Sequence, residues 1–148
     1  MNQQARLSCP HLVAPDGHSL QLVGSRCTRC GEIYFPSCHA CTRCSHTLFE
    51  VHPLGASGIL WSWTVQGFLP KSPYNSGETE ATFKPYGVGY VEMPSGIKIE
   101  SRLIADDIRR LQIGMPMQLT LENYRTDEQG QIWSTFAFCA VLENSDAQ

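Results

Sequence analysis

Cys27-Thr-Arg-Cys30 and, after ten intervening residues, Cys41-Thr-Arg-Cys44 decide the fold of this chain. Two CxxC pairs joined by a short loop place four soft thiolates where one ion can be held tetrahedrally, and each pair can close a tight turn around that ion. Gly31 follows the second cysteine directly and lets the backbone turn, and residues 33–35 have the composition of a short strand. The spacing predicts a rubredoxin-like zinc ribbon with these four cysteines as metal ligands.

Other uses of these cysteines agree less well with the sequence. Disulfides are typical of small secreted chains, but residues 1–4 carry no signal-peptide pattern and seven cysteines leave one unpaired. A redox CxxC pair is expected at a helix start near a βαβ pattern, and neither pair has a helix signal. Iron uses the same ligand set and stays open as an alternative to zinc. Either ion would be structural, because four cysteines leave no open coordination position.

Composition and charge bound the classes of function. A chain of 148 residues is long enough for one domain with its own core, or for one domain plus a small metal module. The formal net charge of −3 gives no general electrostatic attraction to nucleic acid. No apolar run approaches the roughly 20 residues that span a bilayer. Reduced thiols without a targeting segment favour the cytoplasm, and we expect neither nucleic acid nor a membrane as partner.

After Cys44 the sequence is mainly β. Ile59, Trp61, Trp63 and Val65 alternate with polar or smaller residues, which predicts one apolar face of a half-buried strand. Further strands are predicted at 86–93, 97–104, 117–122 and 132–142. Five strands with one short helix between the third and the fourth are typical of an OB-fold barrel, and a compact sandwich is the alternative.

The short helix is expected to begin at Asp106 as N-cap and to end before Gly114. The predicted organisation is an N-terminal segment at 1–20, the zinc ribbon at 21–50 and the OB-fold at 51–148. Within the first segment, Cys9 and His11 resemble half of a second metal site, but no partner ligands accompany them.

A long stretch at 67–85 is not explained by strands. It is rich in proline and aromatic residues, and loops of this length in compact domains are usually functional or disordered. Because aromatic residues argue against simple disorder, the stretch is predicted to be a binding loop.

Several linked motifs resemble the acyl-CoA-associated zinc-ribbon/OB-fold family. In chain order they are Gly24-Ser-Arg-Cys-Thr-Arg-Cys-Gly31, Tyr34-Phe-Pro36, Cys41-Thr-Arg-Cys44, Gly58-Ile-Leu-Trp-Ser-Trp-Thr-Val65, Lys84-Pro-Tyr86, Val91-Glu-Met93, Ile113-Gly-Met-Pro-Met117 and Phe136-Ala-Phe138. Two features depart from the family pattern. Residues 1–20 lack the usual helix with a Phe-Trp pair. Thr42 stands where a proline is usual after the third metal ligand, and Cys38, which precedes that ligand, is an alternative metal ligand.

The resemblance implies a small partner of a catalytic subunit. Family members accompany thiolases, hydroxymethylglutaryl-CoA synthase assemblies, and the hydratases and aldolases of steroid side-chain degradation. We therefore expect a zinc-containing, non-catalytic subunit of a thiolase-type acyl-CoA acyltransferase complex, in a hetero-oligomer. A partner of an acyl-CoA hydratase or aldolase is the alternative.

Coenzyme A, if it touches this chain, needs basic groups for its phosphates beside an apolar wall. Lys71 and Lys84, with Tyr86, Phe68 and Phe83, lie in and beside the long loop and are the predicted contacts. The alternative is that the lysines are simply solvated and the aromatic residues belong to the core, because exposed lysines and buried aromatic residues are the common case.

Residue chemistry agrees with a chain that does not catalyse alone. Thiolase chemistry needs a cysteine nucleophile with a histidine base, and Cys139 lies in an apolar strand and is predicted to be core. Cys38 is next to His39, but adjacent side chains on an extended chain point apart.

A nucleic-acid module would use Trp61, Trp63 and Tyr90 for stacking. A hydrolase or redox enzyme using the metal is disfavoured by the closed site.

Overall fold

The computed structural model describes residues 5–8, 13–16, 19–71 and 76–141. Its strands are β1 Arg6–Leu7, β2 Val13–Asp16, β3 Ser19–Cys27, β4 Ile33–Tyr34, β5 Phe49–Gly55, β6 Ser57–Gln66, β7 Tyr86–Glu92, β8 Lys98–Ile104, β9 Pro116–Thr126 and β10 Ile132–Ala140, with one 3₁₀ turn at Ile108–Arg110. The predicted half-site at Cys9 and His11 lies outside the described residues. No helix in the described ranges is long and apolar enough to cross a membrane.

Strands β6 to β10 form a closed barrel. The pairing runs β6–β7–β8–β10–β9, and β9 pairs back with β6. Only the β8–β10 pair is parallel among these five strands. This is the connectivity of an OB-fold, so the mainly β class and the five-stranded barrel predicted from the strand pattern are confirmed.

A second sheet carries the cysteine pairs and rests on the barrel. Strand β3 is its centre and pairs with β2, β4 and β5, all antiparallel. Leu22 of β3 and Leu54 of β5 are buried in one cluster with barrel residues such as Leu60 and Phe138. The sheet is therefore held to the barrel by shared apolar packing, and the first cysteine of the cluster, Cys27, is the last residue of its central strand.

The predicted apolar face of β6 is wrong at Ile59 and Trp61, because the strand contains a bulge, and Val65 near the end of the strand is also exposed. Leu60 pairs with Val91 and Ser62 pairs with Tyr90, which leaves Trp61 as an extra residue. Leu60 is fully buried, whereas Trp61 is 50% exposed, and Trp63 packs against the core. One inserted residue reverses the side-chain alternation, so a pattern of period two cannot run through it.

The region between β8 and β9 forms less helix than the sequence predicts. The N-cap is Asp107 rather than Asp106, and its carboxylate accepts a hydrogen bond from the Arg109 amide. Leu111 already has extended backbone angles and is 3% exposed, so burial of its side chain ends the turn before Gly114.

Strand β1 was not predicted. It pairs in parallel with the first half of β10, where Arg6 lies opposite Trp133 and Leu7 opposite Ser134. The second half of β10 pairs with β8 instead. The N-terminal residues therefore extend the barrel sheet at the point where β10 leaves β8.

Candidate metal centre

The first cysteine pair closes a tight turn at the end of β3, here named the first knuckle (residues 27–31). The Gly31 amide donates to the Cys27 carbonyl at 3.0 Å, and the Cys27 amide donates to the Glu32 carbonyl at 2.9 Å. Gly31 has φ +81°, a conformation that glycine adopts without steric cost. The local sequence thus folds the backbone around the position of an ion.

The second pair repeats the same backbone pattern in residues 41–45, the second knuckle. The Ser45 amide donates to the Cys41 carbonyl, and the Cys41 amide donates to the His46 carbonyl, both at 2.8 Å. Ser45 has φ +68° at the position that Gly31 holds in the first knuckle. At this position the second knuckle carries a side chain and the first does not.

The four sulfur atoms lie together. All are within 4.8 Å of one another. The distances are 3.6 Å between Cys27 and Cys44 Sγ, and 3.5 Å between Cys30 and Cys41 Sγ. A tetrahedral zinc with bonds of about 2.3 Å has sulfur–sulfur edges of about 3.8 Å. The four cysteines, clustered as in a zinc ribbon, could hold a metal ion, and their geometry and thiol donors fit zinc.

Burial indicates what such an ion would do. Cys27 and Cys41 are 1% and 3% exposed, and the other two ligand cysteines are half-buried. Four thiolates fill the coordination sphere of a tetrahedral ion and leave no position for a substrate. The arrangement suits a structural crosslink between the two knuckles.

Hydrogen bonds and burial shift the pKa values of Cys41 and Cys30 in opposite directions. The Tyr34 hydroxyl bonded to Cys41 Sγ lowers the pKa of Cys41 to about 6, with help from the Cys44 and Arg43 amides. At Cys30 the Glu32 amide also lowers the pKa, but burial and the neighbouring thiols outweigh it and raise the pKa to about 12. Since metal ligands must be deprotonated, metal binding here releases protons.

Replacing Ser45 with glycine should stabilise the protein. A residue with a side chain costs about 1 kcal/mol or more in this left-handed conformation, and glycine does not. We expect the free energy of unfolding to rise by about 1 kcal/mol in Ser45→Gly. Denaturant unfolding of the metal-loaded chain measures it.

The first knuckle offers the reverse substitution as a matched control. Gly31→Ser places a side chain at φ +81°, where its Cβ would lie 3.3 Å from the flexible Arg26 guanidinium. It should lower the free energy of unfolding by a similar amount. Equal stability of wild type and both variants would contradict the backbone argument.

The other cysteines in the described residues lie outside the cluster. Cys38 Sγ donates to the Ala40 carbonyl at 3.4 Å. Cys139 was expected in the core but is only half-buried, because its side chain lines a cavity of about 160 Å³ beside Leu111 and Met115. Its Sγ donates to the Gln118 carbonyl at 3.4 Å.

The predicted coenzyme A contacts fall into two parts of the loop. Phe68 is 72% exposed and Lys71 is exposed, both before residues 72–75, which are outside the described ranges. Lys84 is exposed, and Phe83 packs edge-to-face on Tyr86 with ring centroids 6.0 Å apart.

Sequence reasoning missed an arginine beside these aromatic residues. The Arg102 guanidinium lies 3.9 Å from the centroid of the Tyr86 ring, and its Nε is 2.7 Å from Glu122 Oε1. Arg102 and Glu122 come from β8 and β9, so only the barrel topology brings them together.

The bulge places the aromatic residues that were considered for stacking in two different environments. Trp61 and Tyr90 form an edge-to-face pair at 6.2 Å and are 50% and 40% exposed. Lys98 lies 4.8 Å above the Trp61 ring and 3.7 Å from Glu92. Trp63 packs partly buried against the core and is not part of this exposed pair.

Several curated proteins are similar to this chain in sequence. A benzoylsuccinyl-CoA thiolase subunit, BbsA, from Thauera aromatica is 33% identical over 93 residues, which cover 62% of this chain and 58% of that protein. A DUF35 domain-containing scaffold protein from Methanocaldococcus jannaschii is 29% identical over 107 residues, covering 72% and 71%. The chain thus aligns with little more than half of the thiolase subunit.

A family match and a solved structure agree with the barrel. Residues 51–122 match the family described as the ChsH2 C-terminal OB-fold domain. The structure of an Ltp2-ChsH2(DUF35) aldolase superposes with a TM-score of 0.62 at 23% identity, covering 82% of this chain and 86% of that one, which shows a shared fold. These findings confirm the predicted family for the barrel: residues 51–122 belong to the ChsH2 C-terminal OB-fold family, and a DUF35 domain-containing scaffold protein is among the relatives of the chain.

Proposed function

We propose that this chain is a non-catalytic scaffold subunit of a thiolase-type acyl-CoA acyltransferase complex. The observation that carries the proposal is a closed four-cysteine cluster beside an OB barrel, in a chain related to a protein named as a thiolase subunit. In the ranges that the structure describes, the thiols of Cys38 and Cys139 bond to backbone carbonyls. Neither cysteine forms the Cys–His pair that thiolase chemistry requires.

Zinc, held by Cys27, Cys30, Cys41 and Cys44, is the proposed structural cofactor. It would supply a crosslink between the two knuckles rather than a reactive water, because the four thiolates leave no open position. Cys38 takes no part in this ligand set. The cytoplasm is the proposed location, since thiols stay reduced there.

The acyl substrate is a separate proposal, which rests on the name of one relative. We infer that the complex acts on benzoylsuccinyl-CoA, as in anaerobic toluene degradation, because one relative is named as a subunit of that thiolase. The likeness to an Ltp2-ChsH2 aldolase keeps the alternative of an aldolase or hydratase partner.

Purification of the tagged chain from its own cell extract tests the proposal, with mass spectrometry of bound proteins and metal analysis of the same sample. We expect a stoichiometric thiolase-like subunit and about one zinc per chain, as for a single structural site. Recovery of the chain alone, or with nucleic acid on the exposed Trp61 and Tyr90, would overturn it. An aldolase or hydratase partner would overturn the acyltransferase assignment and favour the alternative.

Removing the loop lysines should weaken acyl-CoA binding by the complex. If Lys71 and Lys84 meet the phosphates of coenzyme A, Lys71→Gln with Lys84→Gln should raise the Kd about fivefold, since exposed charge pairs contribute up to about 1 kcal/mol. Isothermal titration of the intact complex with the acyl-CoA measures this change.

Lys98→Gln is the matched control for this measurement. Lys98 is also an exposed lysine, but it is already paired with Glu92 and with the Trp61 ring. Its replacement should leave the Kd unchanged. An unchanged Kd in the double variant would remove both loop lysines from the site.

A further inference from the structure

Tyr34 is held rigidly beside the second knuckle. Its backbone pairs with Ser25 of the central strand β3. Its ring packs edge-to-face on Phe49 of β5, with ring centroids 5.9 Å apart. The phenol is therefore held by backbone pairing with β3 and by ring packing on β5, and its hydroxyl is directed at residues 41 and 42.

The hydrogen bonds of the hydroxyl determine where its single proton points. The Thr42 amide donates to Tyr34 Oη at 2.9 Å. Thr42 Oγ1 lies 2.9 Å and Cys41 Sγ lies 3.4 Å from the same oxygen. A phenolic oxygen has one proton to donate and accepts through its lone pairs. A metal-bound Cys41 thiolate has no proton and can only accept, so in that state Tyr34 donates to Cys41 Sγ while the Thr42 amide and hydroxyl donate to Tyr34 Oη.

The first knuckle shows that this bond is additional to the shared backbone pattern. Thr28 holds the position there that Thr42 holds in the second knuckle. Its hydroxyl donates to the Leu48 carbonyl at 3.0 Å and lies 3.1 Å from His46 Nε2. No tyrosine or other hydroxyl contacts the Cys27 sulfur in the described residues. Of these two equivalent cysteines, only Cys41 receives a side-chain O–H donor.

The second knuckle has few other ties to the sheet. Its backbone bonds at Cys41 and Ser45 join residues of the knuckle to one another or to His46. Arg43 reaches Glu32 only at 3.8 Å, with both side chains largely exposed. Such pairs contribute little. Tyr34 therefore supplies the best-formed link between this knuckle and the strands, together with the bond between His46 and Thr28.

We propose that Tyr34 is a positioning residue of the metal centre. It donates a hydrogen bond to the Cys41 thiolate of the metal-bound site and holds the second knuckle against β4. This inference rests on the metal site of the proposed function. Outer-shell groups of this kind orient metal ligands, and their loss typically lowers metal affinity about 10–100-fold.

Tyr34→Phe tests the proposal in the full-length chain, because the ring and its packing on Phe49 remain while the hydroxyl is lost. We expect the zinc Kd, measured by competition with a chromophoric chelator, to rise about 10-fold or more. In the cobalt-loaded chain, the sulfur-to-cobalt charge-transfer band should move to longer wavelength, because the sulfur lone pairs rise in energy without the donor.

Thr28→Val is the matched control, since it removes a knuckle threonine hydroxyl that does not touch sulfur. It should leave the charge-transfer band in place, whatever it does to stability. Wild-type metal affinity and an unmoved band in Tyr34→Phe would overturn the role of Tyr34. A wild-type chain that binds neither zinc nor cobalt would instead overturn the metal site itself, so the two failures are distinguishable.

Discussion

Replacing Cys41 with serine is expected to remove the metal and unfold the cysteine-bearing part of the chain, residues 25–50. Between residues 25 and 50, the buried positions are Ser25, Cys27 and Cys41, so the ligand sulfurs themselves make up most of the interior. Structural zinc contributes about 10–16 kcal/mol to the folding of small zinc modules. Without it this part has almost no apolar core, whereas the barrel keeps its own.

Hydrogen exchange measured by mass spectrometry should show this division. In Cys41→Ser, amides of residues 25–50 are expected to lose protection, while those of β7 and β8 keep it. Cys38→Ser is the matched control, because it makes the same chemical change three positions away and outside the cluster. Full zinc content and protection in Cys41→Ser, or their loss in Cys38→Ser, would contradict the assignment of ligands.

Phe138→Ala is expected to give the largest loss of barrel stability. Phe138 is fully buried and lies opposite Leu103 of β8 and Leu119 of β9, so its ring fills the interior between both neighbours of β10. Truncation of a buried phenylalanine costs about 3–5 kcal/mol. At about 2–4 °C per kcal/mol for a chain of this size, the Tm should fall by about 6–20 °C.

Leu121→Ala provides the comparison for this measurement. Leu121 lies on the neighbouring strand β9 and is 42% exposed. Its truncation should cost less than about 1 kcal/mol, as for most surface positions. Calorimetry of the metal-loaded proteins measures both. Similar Tm values for the two variants would mean that Phe138 does not fill the interior as the structure indicates.

The features that were predictable from the sequence are those fixed by local chemistry. Metal coordination demands cysteines at fixed spacing, so the cluster of Cys27, Cys30, Cys41 and Cys44 could be predicted without a structure, and their role as zinc ligands stays a prediction. Strand alternation then indicated the barrel, because each strand buries one face. The domain boundaries and the coenzyme A contacts stay predictions.

The missed features depend on residues far apart in sequence or on a single inserted residue. Strand β1 has two residues and exists only through its pairing with β10. The bulge at Trp61 adds one residue to β6, so the side chains that follow it point to the opposite face from the one that strict alternation predicts. The Tyr34 bond to Cys41 was missed because Tyr34 was assigned only to a strand, and the strand pattern does not show which loop residues lie beside its side chain.

The pairing of β1 with β10 also bears on how the chain folds during synthesis. The Ser8 amide and hydroxyl both donate to the Ser134 carbonyl, across a separation of 126 residues. Pairing between distant segments is slow, because the connecting chain must first be ordered. The barrel closes only when β10 pairs with both β8 and β9, so on the ribosome it stays open until β10 has emerged, and until then β8 and β9 each expose an unpaired edge. Because an unpaired strand edge can pair with another chain, the protein is vulnerable to aggregation in this interval.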